Sequence, residues 1–211
     1  TLKPYNREPH SVIGSSCIGA SVLGGVCNNS GGALVRRGPA YTEMALYARV
    51  NESGELQLIN HLGIDLGNTA EEILTRLQKQ DYKTSQITTQ TTQLASDNRY
   101  AHDVKQVDAD SPARFNADPT RLYEASGSAG KVCVFAVRLD TFEKVESKVF
   151  YIGSNDHDDL TAIRRYLLTS LPSLPIAGEY IHRDAFSIGA KYGKDTFLFI
   201  ERFGTVNIPR A

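Results

Sequence analysis

The stretch "YTEMALYARVNESGELQLINHL" (residues 41–62) contains two runs of alternating apolar and polar residues, separated by the turn-forming letters NESG. In the first run, Met44, Leu46, Ala48 and Val50 recur at every second position, which places them on one face of a strand. Three leucines continue the pattern in the second run. Because a glycine-containing turn separates the two runs, the stretch predicts a β-hairpin with one apolar face.

The segments that flank the hairpin predict a helix, a loop and a further strand. Residues 68–78 ("NTAEEILTRLQ") begin with the potential caps Asn68 and Thr69 and carry apolar residues at helical spacing, which predicts a helix. Residues 82–100 are rich in Thr and Gln, which favours a long exposed loop. The continuous apolar run at residues 132–139 ("VCVFAVRL") predicts a central, buried strand.

The last third of the sequence predicts a second group of elements. Residues 148–154 ("KVFYIGS") read as a strand, and residues 155–171 as a helix capped by Asp156 or Asp158. Residues 179–203 are typical of an αβ unit, with a helix at "RDAFSIGAKYG" followed by the apolar run "DTFLFIERF". The fold class is therefore α+β, and the short charged segment at residues 140–148 is the best place for a domain boundary.

Composition and charge exclude several classes of protein. The net charge of −1 gives no electrostatic footprint for nucleic acid. Three cysteines without CxxC spacing, and five scattered histidines, favour neither a disulfide framework nor a metal site. No apolar run approaches the roughly 18 residues of a membrane span. The chain starts with Thr1 rather than methionine, so we expect a piece of a longer protein.

Glycine is concentrated in "GSSCIGASVLGGVCNNSGGALVRRGP" (residues 14–39), which holds seven of the 17 glycines. Apolar residues are interleaved with the glycines, which excludes a flexible linker and implies packing. Backbone N–H groups from successive turns can bind a phosphate-bearing cofactor, and small hydroxyls such as Ser15 and Ser21 can donate hydrogen bonds. The alternative is a compact loop that only packs close to another backbone. Neither the Rossmann fingerprint nor the phosphate-loop motif is present.

Six segments of the chain carry a family resemblance. They are "REPHSVIGSSCIGASVLGGVCNNSGGALVRRGPAYTEM" (7–44), "INHLGIDLG" (59–67), "DSPARFNADP" (110–119), "GKVCVFAVRLDTF" (130–142), "VFYIG" (149–153) and "AGEYIHRD…KYGKDTFLFI" (177–200). In this order they resemble the bacterial respiratory, quinone-linked D-lactate dehydrogenases, which are FAD-binding flavoproteins of the vanillyl-alcohol-oxidase type.

The resemblance implies a domain organisation and a cofactor. Residues 1–141 would be the second subdomain of a PCMH-type FAD-binding domain, and residues 142–211 the start of the cap, or membrane-binding, domain. It implies non-covalent FAD, so Cys17 and Cys27 are expected to be packed residues. It places FAD contacts at Gly14, Ser21, Gly31 and Val134. The backbone argument adds Ser15, Gly24, Gly25 and Asn28.

The resemblance also implies an activity. D-lactate would be oxidised to pyruvate, and electrons would pass to a membrane quinone. The protein would be peripheral on the cytoplasmic face of the bacterial inner membrane, held there by regions absent from this chain. We assign no catalytic residue and expect the catalytic base outside the chain. Arg183, beside His182, is a candidate for the substrate carboxylate because its guanidinium matches both oxygens; the alternative is a surface pair with Asp184.

Other interpretations remain open at this point. The parent protein could be a related flavin-dependent dehydrogenase of another 2-hydroxy acid, such as glycolate. The chain alone could be a non-catalytic nucleotide-binding module. Arg36 and Arg37 could neutralise a cofactor diphosphate or lie in a solvated loop. Because half of the implied flavin site is absent, we expect the isolated chain to bind FAD poorly and not to turn over.

Overall fold

The structure is a computed structural model that describes residues 2–10, 21–31, 33–89, 91–110 and 118–204. Two short strands form an antiparallel ribbon, and three more form an antiparallel sheet that is buried in part. In chain order, the strands are β1 (Arg7–Pro9), β2 (Ala45–Val50), β3 (Leu56–Asn60), β4 (Cys133–Val137) and β5 (Thr141–Glu143). The helices are α1 (Val22–Cys27), α2 (Ala70–Lys79), α3 (Tyr100–Asp103), α4 (His157–Thr169), α5 (Arg183–Tyr192) and α6 (Lys194–Phe203). The predicted mixture of helices and strands is confirmed.

The predicted hairpin is present as β2 and β3. The two strands pair antiparallel from Leu46 opposite Asn60 to Val50 opposite Leu56. The turn is fixed by Asn51, whose side-chain Oδ1 accepts hydrogen bonds from the backbone N–H groups of residues 53 and 55. Gly54 completes the turn with a φ of +81°, a conformation that glycine adopts without steric cost.

The strand β2, rather than β4, lies at the centre of the three-stranded sheet. The strand order is β3-β2-β4, so the prediction that residues 132–139 form the central strand is wrong. Cys133 and Phe135 on β4 are exposed. An apolar run shows only that a strand can be buried, and its position in the sheet depends on pairing partners that are distant in sequence.

The first half of β2 is buried on both faces. Ala45 and Tyr47 pack on one face with Val26, whereas Leu46 packs on the other face with Leu62. At the far end of the strand, Val50 is exposed. The prediction of a single apolar face is therefore wrong. One hydrophobic cluster covers each face at the start of β2, and neither cluster reaches the hairpin tip.

The predicted helix at residues 68–78 is confirmed as α2. Its N-cap Thr69 accepts a hydrogen bond from the backbone N–H of Glu72, and the Glu72 carboxylate accepts one from the backbone N–H of Asn68. This reciprocal capping satisfies donors that the first helical turn leaves free. Ile73 is buried against Leu46, which attaches α2 to the sheet.

The described part of residues 82–100 is a loop with one short 3-10 turn (Thr84–Gln86), as predicted, but the loop is fastened to the sheet. The backbone N–H of Leu94 donates to the Glu43 carboxylate at 2.9 Å, and the backbone N–H of Glu43 donates to the Leu94 carbonyl at 2.7 Å. Thr42 Oγ1 lies 2.7 Å from the Arg138 carbonyl, to which it donates. The bonds between Leu94 and Glu43 hold the loop against the start of β2, and the Thr42 bond ties the same segment to the end of β4.

In the last third of the chain, the predicted helices are confirmed as α4 and α5, and Asp156 caps α4. The strand predicted at residues 148–154 is not formed, and Val149, Phe150 and Tyr151 are exposed. A strand needs a partner, and none of the described residues pairs with this segment. The apolar run at residues 195–203 belongs to the helix α6 instead of a strand, because a short apolar run is compatible with either structure.

The last third of the chain is joined to the first part by backbone pairing and by packing. The backbone N–H of Val35 donates to the Ile176 carbonyl, and the backbone N–H of Gly178 donates to the Ala33 carbonyl. Leu168 of α4 packs with Val104, which follows α3. Contacts therefore cross the predicted boundary at residue 141, which itself stays a prediction.

Candidate functional site

The residues predicted to contact a cofactor fall into two segments. Gly14 and Ser15, together with Cys17, lie outside the described residues. The structure describes the other predicted contacts, which lie on or next to α1 and on β4: Ser21, Gly24, Gly25, Asn28, Gly31 and Val134.

The helix α1 is short, and a serine fixes its start. Ser21 is the N-cap, and its Oγ accepts a hydrogen bond from the backbone N–H of Gly24 at 3.0 Å. A Cβ added to Gly24 would lie 3.0 Å from this same oxygen, so the absence of a side chain keeps the cap in place. Gly25 is buried, whereas Ser21 and Gly24 remain accessible. The helix thus exposes backbone with little side-chain cover at one side.

The structure brings α1 and β4 together. Val26 is fully buried in a cluster with Tyr47 and Ala125, and Val134 packs against that cluster. Val134 also lies opposite Tyr47 in the pairing of β4 with β2. The two segments predicted to contact one cofactor, about a hundred residues apart in sequence, are therefore neighbours on one face of the sheet.

A tight turn at residues 126–130 precedes β4 in the chain and is hydrogen-bonded to the end of α1. The backbone N–H of Gly127 donates to the Val26 carbonyl, and the backbone N–H of Ala129 donates to the Cys27 carbonyl, both at 3.0 Å. Ser126 anchors the turn from the other side, because its Oγ donates to the Thr42 carbonyl at 2.7 Å and accepts from the Thr42 N–H at 3.0 Å. The turn is thus fixed on two sides before β4 begins.

Ser128 lies in this turn and was not predicted from the sequence. Its side chain is buried, and among the described residues its Oγ has no hydrogen-bond partner. An unsatisfied buried hydroxyl costs about 1–3 kcal/mol, so native structures rarely retain one without a reason. The small-residue letters SGSAG (126–130) were the signal that could have drawn attention to this turn.

A polar cluster lies beside the same face of the sheet. The Glu124 carboxylate interacts with the Tyr47 hydroxyl and lies 2.7 Å from Nδ1 of His61, in a contact that is not aligned as a hydrogen bond. The other Glu124 oxygen, Oε2, is buried and has no hydrogen-bond partner among the described residues. Burial of the phenol, and secondly its hydrogen bond to Glu124, raise the pKa of Tyr47 to about 12.

The Tyr47 pKa predicts loss of stability in alkali. The fold holds this phenol in its neutral form, so its contribution is complete below pH 10 and disappears as the pH rises from 10 to about 12. The expected loss is about 2–3 kcal/mol. Burial also raises the pKa of Tyr41, which acts in the same direction. The chain has ten tyrosines, several of them exposed, so only the last part of the tyrosinate absorbance, which comes from the buried phenols, should appear in parallel with the loss of circular dichroism above pH 10. Development of the whole tyrosinate signal near pH 10 with the fold intact would contradict the assignment.

Arg36 and Arg37 make contacts within the protein. Arg36 donates from Nε and from a terminal nitrogen to the Leu174 carbonyl, at 3.0 and 2.6 Å. Arg37 pairs with Glu8 and places its guanidinium 4.1 Å from the centre of the Phe142 ring. The expectation of a solvated loop is therefore wrong for Arg37, whose side chain is almost fully buried, whereas Arg36 is exposed. Neutralisation of a diphosphate by either residue stays a prediction.

His182 and Arg183 lie together at the start of α5. His182 is the N-cap, and its Nδ1 accepts a hydrogen bond from the Asp184 backbone N–H at 3.2 Å. Its ring is packed edge-on against those of His157 and Tyr180. The Arg183 side chain is exposed, and its Nε lies 3.7 Å from the Asp184 carboxylate. The structure thus joins His182 to α4 through His157, and a role of either residue in substrate binding stays a prediction.

Two further features bear on the kind of site. Among the described residues, no three His, Cys, Asp or Glu side chains lie together in a way that could hold a metal ion. A hollow between the loop at residues 89–98 and the end of β4 contains Arg138 and Asp140. Both have partners, because Arg138 donates to the Thr88 carbonyl and Asp140 accepts from Ser96. Both charged side chains of the hollow are therefore already held by hydrogen bonds within the protein.

Comparison with known proteins identifies close relatives. The chain is 66% identical over 210 residues to the quinone-dependent D-lactate dehydrogenase of Haemophilus influenzae, and 60% identical over 209 residues to that of Escherichia coli. It is 50% identical over 201 residues to that of Corynebacterium glutamicum. These alignments cover 99%, 99% and 95% of the chain. The resemblance inferred from the sequence motifs is confirmed.

The relatives are much longer than the chain. The chain spans 37%, 36% and 35% of their lengths, respectively. A protein family described as "D-lactate dehydrogenase, membrane binding" matches residues 149–211. The membrane contact was predicted to lie outside the chain, whereas this match shows that residues 149–211 themselves resemble part of a membrane-binding region. None of the helices formed by the described residues combines the length and apolar character required to cross a membrane.

Proposed function

We propose that the chain is the part of a quinone-dependent D-lactate dehydrogenase that supplies one wall of an FAD site and the start of a membrane-binding domain. The observation that carries this proposal is the identity of 50–66% along almost the whole chain to enzymes of three bacteria that share this activity. Residues 1–141 would form the second subdomain of a PCMH-type FAD-binding domain. Residues 142–211 would begin the cap, in agreement with a membrane-binding match that starts at residue 149.

The residues around α1 fit a flavin cofactor. Accessible backbone at Ser21 and Gly24 permits close approach of a large ligand, and apolar Val134 lies on the adjacent strand. The buried Ser128 hydroxyl, which has no partner among the described residues, lies in the turn between α1 and β4 and can donate to a cofactor oxygen or nitrogen. FAD bound non-covalently would accept two electrons from D-lactate and pass them to quinone.

The roles of the chain's own residues follow from this arrangement. The backbone of Gly24, Gly25, Asn28 and Gly31 would approach the cofactor, together with the predicted contacts Gly14 and Ser15. Val26 and Val134 would exclude water from that side. On the substrate side, Arg183 would contact the lactate carboxylate, with His182 beside it. The enzyme would be peripheral on the cytoplasmic face of the inner membrane.

Two serines of the same turn provide the test. In the enzyme that contains this chain, Ser128→Ala is expected to weaken FAD binding about tenfold, the equivalent of one hydrogen bond. The same substitution should leave the stability of the flavin-free protein unchanged or raised, because it removes an unsatisfied buried group. Ser126→Ala is the matched control: it breaks two bonds to Thr42 and should lower the free energy of unfolding by about 1–3 kcal/mol without a specific effect on FAD.

FAD retention can be measured by the flavin released on denaturation and by titration of the flavin-free protein. If Ser128→Ala lowered stability as Ser126→Ala does and left FAD affinity unchanged, the turn would be a structural element and not a cofactor contact. Rates with D-lactate and glycolate distinguish the proposed enzyme from a glycolate-type relative. Binding of adenine nucleotides without flavin would instead support a non-catalytic module.

A further inference from the structure

We propose that Glu124 is a positioning residue of the FAD site. Its carboxylate fixes the turn at residues 126–130 and, through that turn, the orientation of the Ser128 hydroxyl. This inference rests on the proposed function, in which Ser128 contacts FAD. It adds a residue that acts on the cofactor through the turn rather than by touching it.

Glu124 has an unusual backbone conformation. Its φ is +49°, in the left-handed region, where a residue with a Cβ is sterically disfavoured. Residues 123 and 126 exchange two backbone hydrogen bonds, at 3.1 and 2.8 Å, so Glu124 and Ala125 form the corner of a tight turn. Glycine and asparagine tolerate this conformation best. A glutamate persists there only where contacts of its surroundings hold it in place.

The side chain of Glu124 makes such contacts. Its carboxylate accepts a hydrogen bond from the Tyr47 hydroxyl on β2 and lies 2.7 Å from Nδ1 of His61, which follows β3. His61 is itself tied to the sheet, since its backbone N–H donates to the Ala45 carbonyl at 2.9 Å. Only 14% of the Glu124 side chain is exposed. The carboxylate therefore anchors the corner of the turn to the β2–β3 hairpin.

One oxygen of this carboxylate remains unsatisfied. Glu124 Oε2 is buried and has no hydrogen-bond partner among the residues that the structure describes. An unpaired buried acceptor is unfavourable, and so is a left-handed backbone at a glutamate. Both unfavourable features occur in one residue, four positions before the unsatisfied hydroxyl of Ser128. Strained and unsatisfied groups of this kind cluster at ligand sites, where they hold a binding group in a fixed orientation.

The segment between Glu124 and Ser128 is fixed at each step. Ala125 is fully buried and packs with Val26 of α1. Ser126 forms two hydrogen bonds with Thr42. A Cβ added to the next residue, at position 127, would lie 2.4 Å from a neighbouring side chain, so the backbone there has no room to shift. A displacement of the corner is therefore transmitted to the Ser128 hydroxyl.

Titration of the flavin-free, full-length enzyme with FAD tests the proposal. Glu124→Met fills a similar volume but accepts no hydrogen bond, and it should weaken FAD binding by about tenfold or more. Glu124→Gln can still bond to both the Tyr47 hydroxyl and His61, so its affinity should stay within about threefold of that of the unchanged enzyme. Glu124→Gly adopts the left-handed conformation without steric cost, yet it should bind FAD as weakly as the methionine variant. Unchanged affinity of the glycine variant would overturn the proposal, because backbone geometry alone would then suffice.

Two comparisons separate positioning from general destabilisation. Glu43 is a matched carboxylate, because it accepts from the Tyr41 hydroxyl at 2.8 Å and from the Leu94 N–H at 2.9 Å but fastens the loop at residues 82–100. Glu43→Met should lower stability and change FAD affinity by less than about twofold. In an enzyme that already carries Ser128→Ala, Glu124→Met should weaken FAD binding by less than about threefold, since the contact that it positions is absent. Fully additive effects of these two substitutions would contradict the proposed link.

Amide hydrogen exchange gives a readout that does not depend on FAD. In the flavin-free enzyme, the amides of residues 126–130 should exchange about tenfold faster in Glu124→Met and at an unchanged rate in Glu43→Met. Unchanged exchange in Glu124→Met would overturn the proposal, because the turn would then be held without this residue. Failure of the unchanged enzyme to bind FAD would overturn the proposed function and, with it, the cofactor role of Glu124. Equal FAD binding by the unchanged enzyme and all Glu124 variants would overturn this inference alone.

Discussion

Replacing Arg121 by methionine is expected to lower the free energy of unfolding by about 3–5 kcal/mol, because it leaves a buried carboxylate without its cation. Arg121 Nε lies 2.5 Å from the Asp97 carboxylate, whose side chain is 1% exposed. A terminal nitrogen of Arg121 reaches Asp103 at 3.4 Å. Asp97 also accepts backbone hydrogen bonds from residues 99 and 100, which fixes the start of α3. Arg121→Met fills a similar volume but supplies no charge.

The chain offers a matched control in a second Arg–Asp pair. Arg165 contacts Asp108 with both terminal nitrogens, at 2.7 and 2.8 Å, but both side chains are well exposed. Arg165→Met should therefore change urea unfolding too little to resolve, since water replaces the lost partner. The double variant Arg121→Met, Asp97→Asn should recover much of the loss, because no buried charge is left unpaired. Equal effects of Arg121→Met and Arg165→Met would mean that the Asp97 pair is not buried.

This ion pair also shows which interactions a single sequence does not reveal. Asp97 lies in a Thr- and Gln-rich segment that reads as an exposed loop, and Arg121 follows a stretch with no periodic pattern. Nothing in the spacing of the two residues indicates that they meet. The loop at residues 82–100 was predicted correctly as a loop, but its attachment through Asp97 and Leu94 comes from partners distant in sequence.

Elements with local signals were predicted well. The hairpin turn, the Thr69 and Asp156 caps and the apolar spacing of α4 depend on residues only a few positions apart. The errors concern features that require a distant partner. The segment at residues 148–154 has the composition of a strand but no strand beside it, and β4 has the composition of a central strand but lies at the edge of the described sheet.

The candidate site was predicted in part, for the same reason. Glycine content and interleaved apolar residues indicated close approach of a ligand to the backbone near α1, and the resemblance to D-lactate dehydrogenases linked that segment to Val134. Neither could identify Ser128, because its significance lies in a missing hydrogen bond rather than in its residue type. The contacts of Arg36 with Leu174 and of Arg37 with Glu8 likewise depend on the folded chain.

Leu46→Ala is the second substitution with a large expected effect. It distinguishes the observed packing of the hairpin from the packing that the alternating sequence pattern predicted. Leu46 is 0% exposed and packs with Leu62, Leu66 and Ile73. Removing its side chain should leave a cavity between β2 and α2 and cost about 2–5 kcal/mol. Leu56→Ala is the same substitution on the paired strand, but Leu56 is 77% exposed, so its effect should stay within about 0.5 kcal/mol.

The alternating pattern makes a different prediction, which urea unfolding can test. If one face of the hairpin were buried along its whole length, then Leu46, Val50 and Leu56 would all lie in the core and all three alanine variants would be strongly destabilised. The structure limits the large effect to Leu46, because the tip of the hairpin extends beyond the two hydrophobic clusters that cover the start of β2. A loss above 2 kcal/mol for Leu56→Ala in this chain would mean that the tip is covered by another molecule of the same protein. Repeating the measurement at several protein concentrations would reveal such an association, since the free energy of unfolding would then rise with concentration.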